Sequence, residues 1–183
     1  MAGTEFFISI DVETAGPFPG RYSLLAIGAC TLNMPPDTFY VEIKPVNDHC
    51  LPKALQVSGL SMEQLRQQGL DPQEAMSRFE AWLKEVVPTG ARPVFVALNA
   101  PFDWMFVNEY FFRYLGHNPF GHSALDIKAY YMGLKGVPWS KTAMSSIGPL
   151  YLGRGQLSHH ALNDALDQAE IFKLLLGESG LLD

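Results

Sequence analysis

Phe6-Phe7-Ile8-Ser9-Ile10-Asp11-Val12-Glu13-Thr14 is the stretch on which the reading of this chain turns. The aromatic and β-branched run over 6–10 predicts a buried strand, with two carboxylates presented where it leaves the core. Side chains alternate along extended backbone, so Asp11 and Glu13 project from the same side. Two anions held together repel, and one stays protonated unless cations join them. Hard oxygen donors suit magnesium or manganese, which makes a divalent metal the economical resolution. A lone acid at a strand end is ordinarily turn or cap chemistry, so the pair gains meaning only if further carboxylates reach the same place.

The 183 residues suit a single domain over 1–183, and 48% hydrophobic with 17% charged residues is a soluble globular balance. No apolar stretch approaches the roughly 20 residues that span a bilayer. Met1-Ala2-Gly3-Thr4-Glu5 has neither a basic segment nor a signal-peptide core, so a cytoplasmic protein with no membrane partner is expected. Cys30 and Cys50 lack the spacing for a zinc site and the numbers for a disulfide framework, and they read as buried free thiols. A net charge of −6 argues against a broad nucleic-acid-binding face. A pocket of carboxylates would itself supply part of that charge, and bound metals would reverse its local sign.

Leu24 to Leu32 and the alternating Phe39, Val41 and Ile43 predict two more strands, which with the first form an antiparallel meander. Residues 47–59 read as irregular. Ser61 with Gln64 starts a helix stopped by Gly69, and Asp71-Pro72-Gln73-Glu74 starts a stronger one whose buried stripe is Ala75, Met76, Phe79, Leu83 and Val86. Val94 to Leu98 predicts a strand covered on both faces, followed by Asp103 and a helix over 104–115 closed by Gly116. A short strand over 124–126, a helix over 127–132, a loop over 133–139 and a helix over 140–147 capped by Ser140 follow. The last helix begins near Ser158-His159-His160 and runs to Leu176, with Gly177 as terminator and Asp164 in its first turns.

Three motifs then stand in order: Ile10-Asp11-Val12-Glu13-Thr14, Asn99-Ala100-Pro101-Phe102-Asp103, and His159-His160-Ala161-Leu162-Asn163-Asp164-Ala165. In this order and with these separations the chain resembles the DEDDh 3′→5′ exonuclease family, which includes polymerase proofreading subunits, ribonuclease T and oligoribonuclease. Val57-Ser58-Gly59-Leu60 and Asp126 are supporting likenesses, and the likeness covers nearly the whole chain. One departure is Leu98, where many relatives have a polar His before the Asn.

The resemblance implies an α/β, RNase H-like fold, a mixed five-stranded sheet flanked by helices, with the site at the sheet's edge. It implies that Asp11, Glu13, Asp103 and Asp164 hold two divalent ions, Mg2+ or Mn2+, and that His159 is the general base. Phosphodiester hydrolysis needs a hydroxide near neutral pH and a counter-charge for the leaving oxygen, and two ions roughly 3.5–4 Å apart supply both. Histidine as a residue type titrates in the range such a base requires. Spacing alone leaves His160 open, since it shares a helical face with Asp164 if the helix has already begun, whereas the family's spacing selects His159.

The same resemblance implies as partner the 3′ end of single-stranded DNA or RNA, cut to nucleoside 5′-monophosphates, with Thr14 near the terminal nucleotide and Phe102 or Phe18 offering a face for a base. The alternatives are a catalytically weak or inactive module that binds nucleic-acid ends or a polymerase, and a phosphomonoesterase using the same acids. Tyr110-Phe111-Phe112-Arg113-Tyr114 could supply an apolar patch for a homodimer, as in several relatives.

Overall fold

The computed structural model describes residues 4–156 and 158–180. The sequence expectations for 1–3, 157 and 181–183, including the targeting assessment at Met1-Ala2-Gly3, lie outside the described residues. Five strands form one mixed sheet in the order β3-β2-β1-β4-β5. β1 (Glu5–Thr14), β2 (Leu24–Thr31) and β3 (Thr38–Glu42) make the expected antiparallel meander, while β4 (Arg92–Ala97) and β5 (Ala124–Asp126) run parallel to β1. Among the described residues no helix is long and apolar enough to cross a membrane.

Alternation along β1 sorts its side chains between two layers. Ile8, Ile10 and Val12 enter a core closed by α3 (Pro72–Val86) and α4 (Ala100–Leu115), in which Phe79 stacks on Phe39 and Phe111 with centroids 5.0 and 5.6 Å away. Phe7 faces the other layer, where α5 (Ile127–Lys135), α6 (Met144–Tyr151) and α7 (Ala161–Ser179) bury Val96, Ile127, Ile147, Ile171 and Phe172. Ser9 lies on that same face and donates to the Ala165 carbonyl of α7 at 2.8 Å. Asp11 and Glu13 therefore continue the face that α7 covers.

Gly28 permits that cover to be close. It pairs with Asp11 across β1 and β2, and a Cβ there would collide with the backbone of Ala161 and Leu162 at the start of α7. Any side chain at position 28 would lift the helix that carries Asp164.

Several local expectations are corrected. The strand does not end at Ile10 but runs through Asp11 and Glu13 to Thr14, because β2 pairs with it along that whole length. The stretch read as irregular contains α1 (Pro52–Ser58), set by Pro52 in its first turn and by Gly59 in left-handed backbone at φ 69°. It buries no residue, so no apolar stripe announced it. α2 (Met62–Gln68) and α3 start on Ser61 and Asp71 as expected, each side chain accepting a backbone N–H, from Gln64 and Gln73 respectively.

Helix α4 begins at Ala100 rather than Trp104, which places Asp103 inside its first turn. α5 continues through Lys135, into the stretch expected to be loop. Ser140 caps no helix; it sits in a 3-10 turn over Trp139–Lys141 that Thr142 closes by donating to the Trp139 carbonyl, and α6 starts only at Met144. α7 begins after both histidines, at Ala161, and passes Gly177 to end at Gly180, its last turn held by a 2.5 Å ion pair between Glu178 and Lys135. Cys30 is buried but Cys50 only half-buried, and both are free thiols.

Candidate active site

β1 pairs with β4 only from Glu5 to Ser9, although it continues to Thr14. Beyond that point the two parallel strands part, leaving a crevice at their carboxyl ends, the usual place for a site in an open α/β sheet. The strand edge left free there needs partners. The Val12 N–H finds one in Asp103, donating to its Oδ1 at 3.2 Å. Asp103, only 4% exposed, is thus held against the acidic stretch by the backbone that carries it.

Asp11, Glu13 and Asp164 each present a carboxylate oxygen within 4.8 Å of the others. Asp103 lies outside that mutual group, yet its charge raises the Asp11 carboxyl more than that of Glu13 or Asp164 does. Burial first, then repulsion from Asp103, Glu13 and Asp164, holds the Asp11 carboxyl well above the usual carboxylate range. Asp103 is pushed up in the same way, with burial the main cause. Glu13 is pushed up to about 8 by burial and by Asp164. Anions crowded out of water in this way call for positive charge, and their oxygens are the donors that magnesium and manganese prefer, so these acids fit such an ion.

Asp164 is fixed by the turn before its helix. Its Oδ1 accepts from the Ser158 N–H at 2.7 Å and from the Ser158 hydroxyl at 2.8 Å, and its Oδ2 accepts from the His159 N–H at 2.9 Å. His159 takes left-handed backbone at φ 56°, and its imidazole is exposed. His160 is the residue before α7, and its ring stacks on Tyr40 with centroids 4.6 Å apart. The shared helical face of His160 and Asp164 does not arise, because neither histidine lies in the helix.

A cleft of about 330 Å³ adjoins the acids. Val12, Glu13 and Thr14 form one side, Phe102 contributes from α4, and Leu51, Lys53 and Val57 close it from the segment read as irregular. Thr14 is buried, and its hydroxyl donates to the Gly16 carbonyl at 2.9 Å, so it also shapes the turn below the cleft. Phe102 is half-buried: it lines the cleft and packs on Phe106, centroids 5.5 Å apart. Phe18 stands 47% exposed against Tyr22, outside this lining.

Sequence reasoning passed over three contributors. Tyr40 pins His160, Ser158 orients Asp164, and Gln168 bonds to Asp11 at 2.7 Å. Only Gln168 carried a signal in the sequence, as an amide on the buried stripe one turn beyond Asp164. Asp126 acts at one remove, accepting the N–H groups of Ala100 and Ala129 and so tying together the starts of α4 and α5.

Residues 8–172 match the RNase T Exonuclease family model. A 3′-5′ DNA exonuclease of Escherichia coli, Cap18, is 46% identical over 181 residues, covering 98% of this chain and 97% of its own. Among solved structures, the nuclease domain of 3′hExo, a DEDDh family member bound to rAMP, superposes with a TM-score of 0.77 at 18% identity, covering 96% of this chain and 93% of that one. Escherichia coli Exonuclease I in complex with a dT13 oligonucleotide gives 0.73 at 18% identity, covering 98% of this chain and 42% of the larger enzyme. These two share the fold. With the family model spanning most of its length and a relative alike over nearly all of it, the chain belongs to the RNase T exonuclease family of hydrolases.

Proposed function

We propose that this protein is a metal-dependent 3′→5′ exonuclease that shortens single-stranded DNA from its 3′ end and releases nucleoside 5′-monophosphates. The observation that carries this is the convergence of Asp11, Glu13 and Asp164 within 4.8 Å, with Asp103 bound to the backbone between the first two. Asp11, Glu13, Asp103 and Asp164 would together hold two divalent ions, Mg2+ or Mn2+. Such ions, when bound, supply a hydroxide near neutral pH and a counter-charge for the departing 3′ oxygen.

The remaining work falls to side chains of the chain itself. His159, exposed beside Asp164, accepts the proton of the attacking water on an imidazole nitrogen. His160 is occupied by its stack on Tyr40, which favours His159 for that role. The cleft lined by Thr14, Phe102 and Leu51 takes the terminal nucleotide, and Phe102 gives its base an apolar face.

DNA is preferred to RNA in this proposal because the 46%-identical relative is a DNA exonuclease. The expected cytoplasmic setting accords with two free thiols, Cys30 and Cys50. Of the aromatic cluster considered for a homodimer, Tyr110 and Phe111 are buried and Phe112 is exposed, so a second copy would find little more than one ring there.

Digestion of 5′-fluorescent DNA and RNA oligonucleotides with Mg2+ or Mn2+ tests the reading. The expected result is a ladder from DNA with release of 5′-monophosphates, abolished by a chelator. No shortening of either polymer at high enzyme would leave the end-binding alternative. Shortening of RNA alone would overturn the choice of DNA, and phosphate release without shortening would indicate a phosphomonoesterase.

A further inference from the structure

Gln168 is completely buried, four residues beyond Asp164 on α7, and both ends of its amide are bonded. Its Oε1 accepts the backbone N–H of Leu98 at 2.7 Å, and its Nε2 donates to Asp11 Oδ1 at 2.7 Å. The amide orientation follows from the partners, since a backbone N–H can only donate and a carboxylate is the natural acceptor. One side chain therefore links the three segments that supply the acids: α7 with Asp164, β1 with Asp11, and the end of β4 just before the helix of Asp103.

The other ties between these segments are less specific. Ser9 bonds to the Ala165 carbonyl, which fixes the height of α7 over β1 but reaches no site side chain. Gly28 allows close approach without choosing a register. The Val12 N–H holds Asp103 against β1, and among the described residues Gln168 is the side chain that bonds to Asp11. By occupying Oδ1 it fixes the torsion of the Asp11 carboxylate and leaves Oδ2 as the oxygen free to turn to the crevice. It also supplies polar contact at Leu98, where the side chain is apolar and packs into the core.

We propose that Gln168 is a positioning residue that locks the Asp11 carboxylate and keys α7 to the ends of β1 and β4, so that the acids hold a divalent ion in one geometry. This rests on the nuclease reading above, and the test separates the two. Gln168→Met keeps the length and fills the space but can neither donate to Asp11 nor accept from Leu98. Mn2+ affinity, read by electron paramagnetic resonance on the intact protein without substrate, is expected to weaken about 10–100-fold, the usual loss when a partner of a metal ligand is removed. The same variant should lose kcat on a DNA oligonucleotide with KM within about twofold of the parent, since Gln168 does not line the cleft.

Leu175→Ala, fully buried farther along α7, serves as a control for general loosening of the helix. It is expected to lower the melting temperature while leaving Mn2+ affinity within about twofold of the parent. If Gln168→Met does not fold, Gln168→Asn takes its place: it keeps an amide one methylene too short to span both partners, and the same weakening of Mn2+ binding is expected. Mn2+ affinity unchanged in the folded Gln168 variant, or lost equally in Leu175→Ala, overturns the positioning role while the nuclease reading stands. A parent protein that binds no Mn2+ and shortens no oligonucleotide overturns both.

Discussion

Asp11 and Asp103 stand on a strand and a helix packed into the core, each with an oxygen tied to a distant segment, whereas His159 and His160 occupy an exposed turn ahead of α7. On the acidic side, position is enforced by burial and by Gln168 and Val12; on the histidine side, it depends on one N–H to Asp164 and one ring stacked on Tyr40. The contrast matches the chemistry proposed for each side. Acids that hold a cation need fixed geometry and tolerate poor hydration once the cation is present. A base must exchange its proton with water in every turnover, which an exposed imidazole does freely.

The largest effect should come from the fixed side. Asp11→Asn is expected to reduce kcat about 10³-fold or more, since it removes charge from the centre of the proposed cation site. Thermal unfolding of the metal-free variant should show no loss of stability, because burial and three neighbouring carboxylates already oppose ionisation at this position. An activity loss below tenfold would break the comparison at its stronger end.

Next comes His159→Ala, with an expected fall in kcat of about 10²–10⁴-fold and unchanged Mn2+ affinity. His160→Ala measured beside it should lose less than tenfold. The opposite order would transfer the proton-accepting role to the ring stacked on Tyr40.

Stability against pH sharpens the contrast without any substitution. Glu13 sits at about 8 in the folded protein against an ordinary 4.5, so the folded state binds a proton that the unfolded chain has released between those values. Its contribution to metal-free stability is full below 4.5 and disappears as pH rises toward about 8, with Asp11 and Asp103 adding slopes of the same sign. Urea unfolding of metal-free protein should therefore show stability declining over that window. Saturating Mn2+ should offset the decline, since the cation competes with those protons. A metal-free protein more stable at pH 8 than at pH 5 would contradict the raised carboxyls.

The smallest effect is expected from His160→Ala on stability. Loss of the Tyr40 stack should cost about 1 kcal/mol, or roughly 2–4 °C in melting temperature.

The readable parts of this molecule are those where burial leaves a pattern in the chain. α3 shows its cap at Asp71 and its stripe through Phe79, and both lie where the spacing puts them. The three motifs mark the acids because each ends or begins an element with a strong signal of its own. α1 left no such trace, since a helix with no buried residue has no stripe. Ser140 misled because a serine at a turn looks the same whether it opens a helix or sits within a 3-10 turn. Gly177 misled because a helix interior tolerates glycine where neighbours such as Leu175 and Leu176 are buried. The pairing of Tyr40 with His160 joins residues 120 positions apart, and nothing local in either segment announces it.

The helix that left no trace has a practical consequence. Pro52–Ser58 buries no residue fully and offers the interior only the half-buried Leu55, which packs beside Ala15 and Leu25, yet Lys53, Ala54 and Val57 form part of the cleft beside the acids. With Leu55 kept, its cleft-facing positions can be randomised at little thermal cost, which makes α1 the natural target for a library that retunes end preference while the acids stay in place.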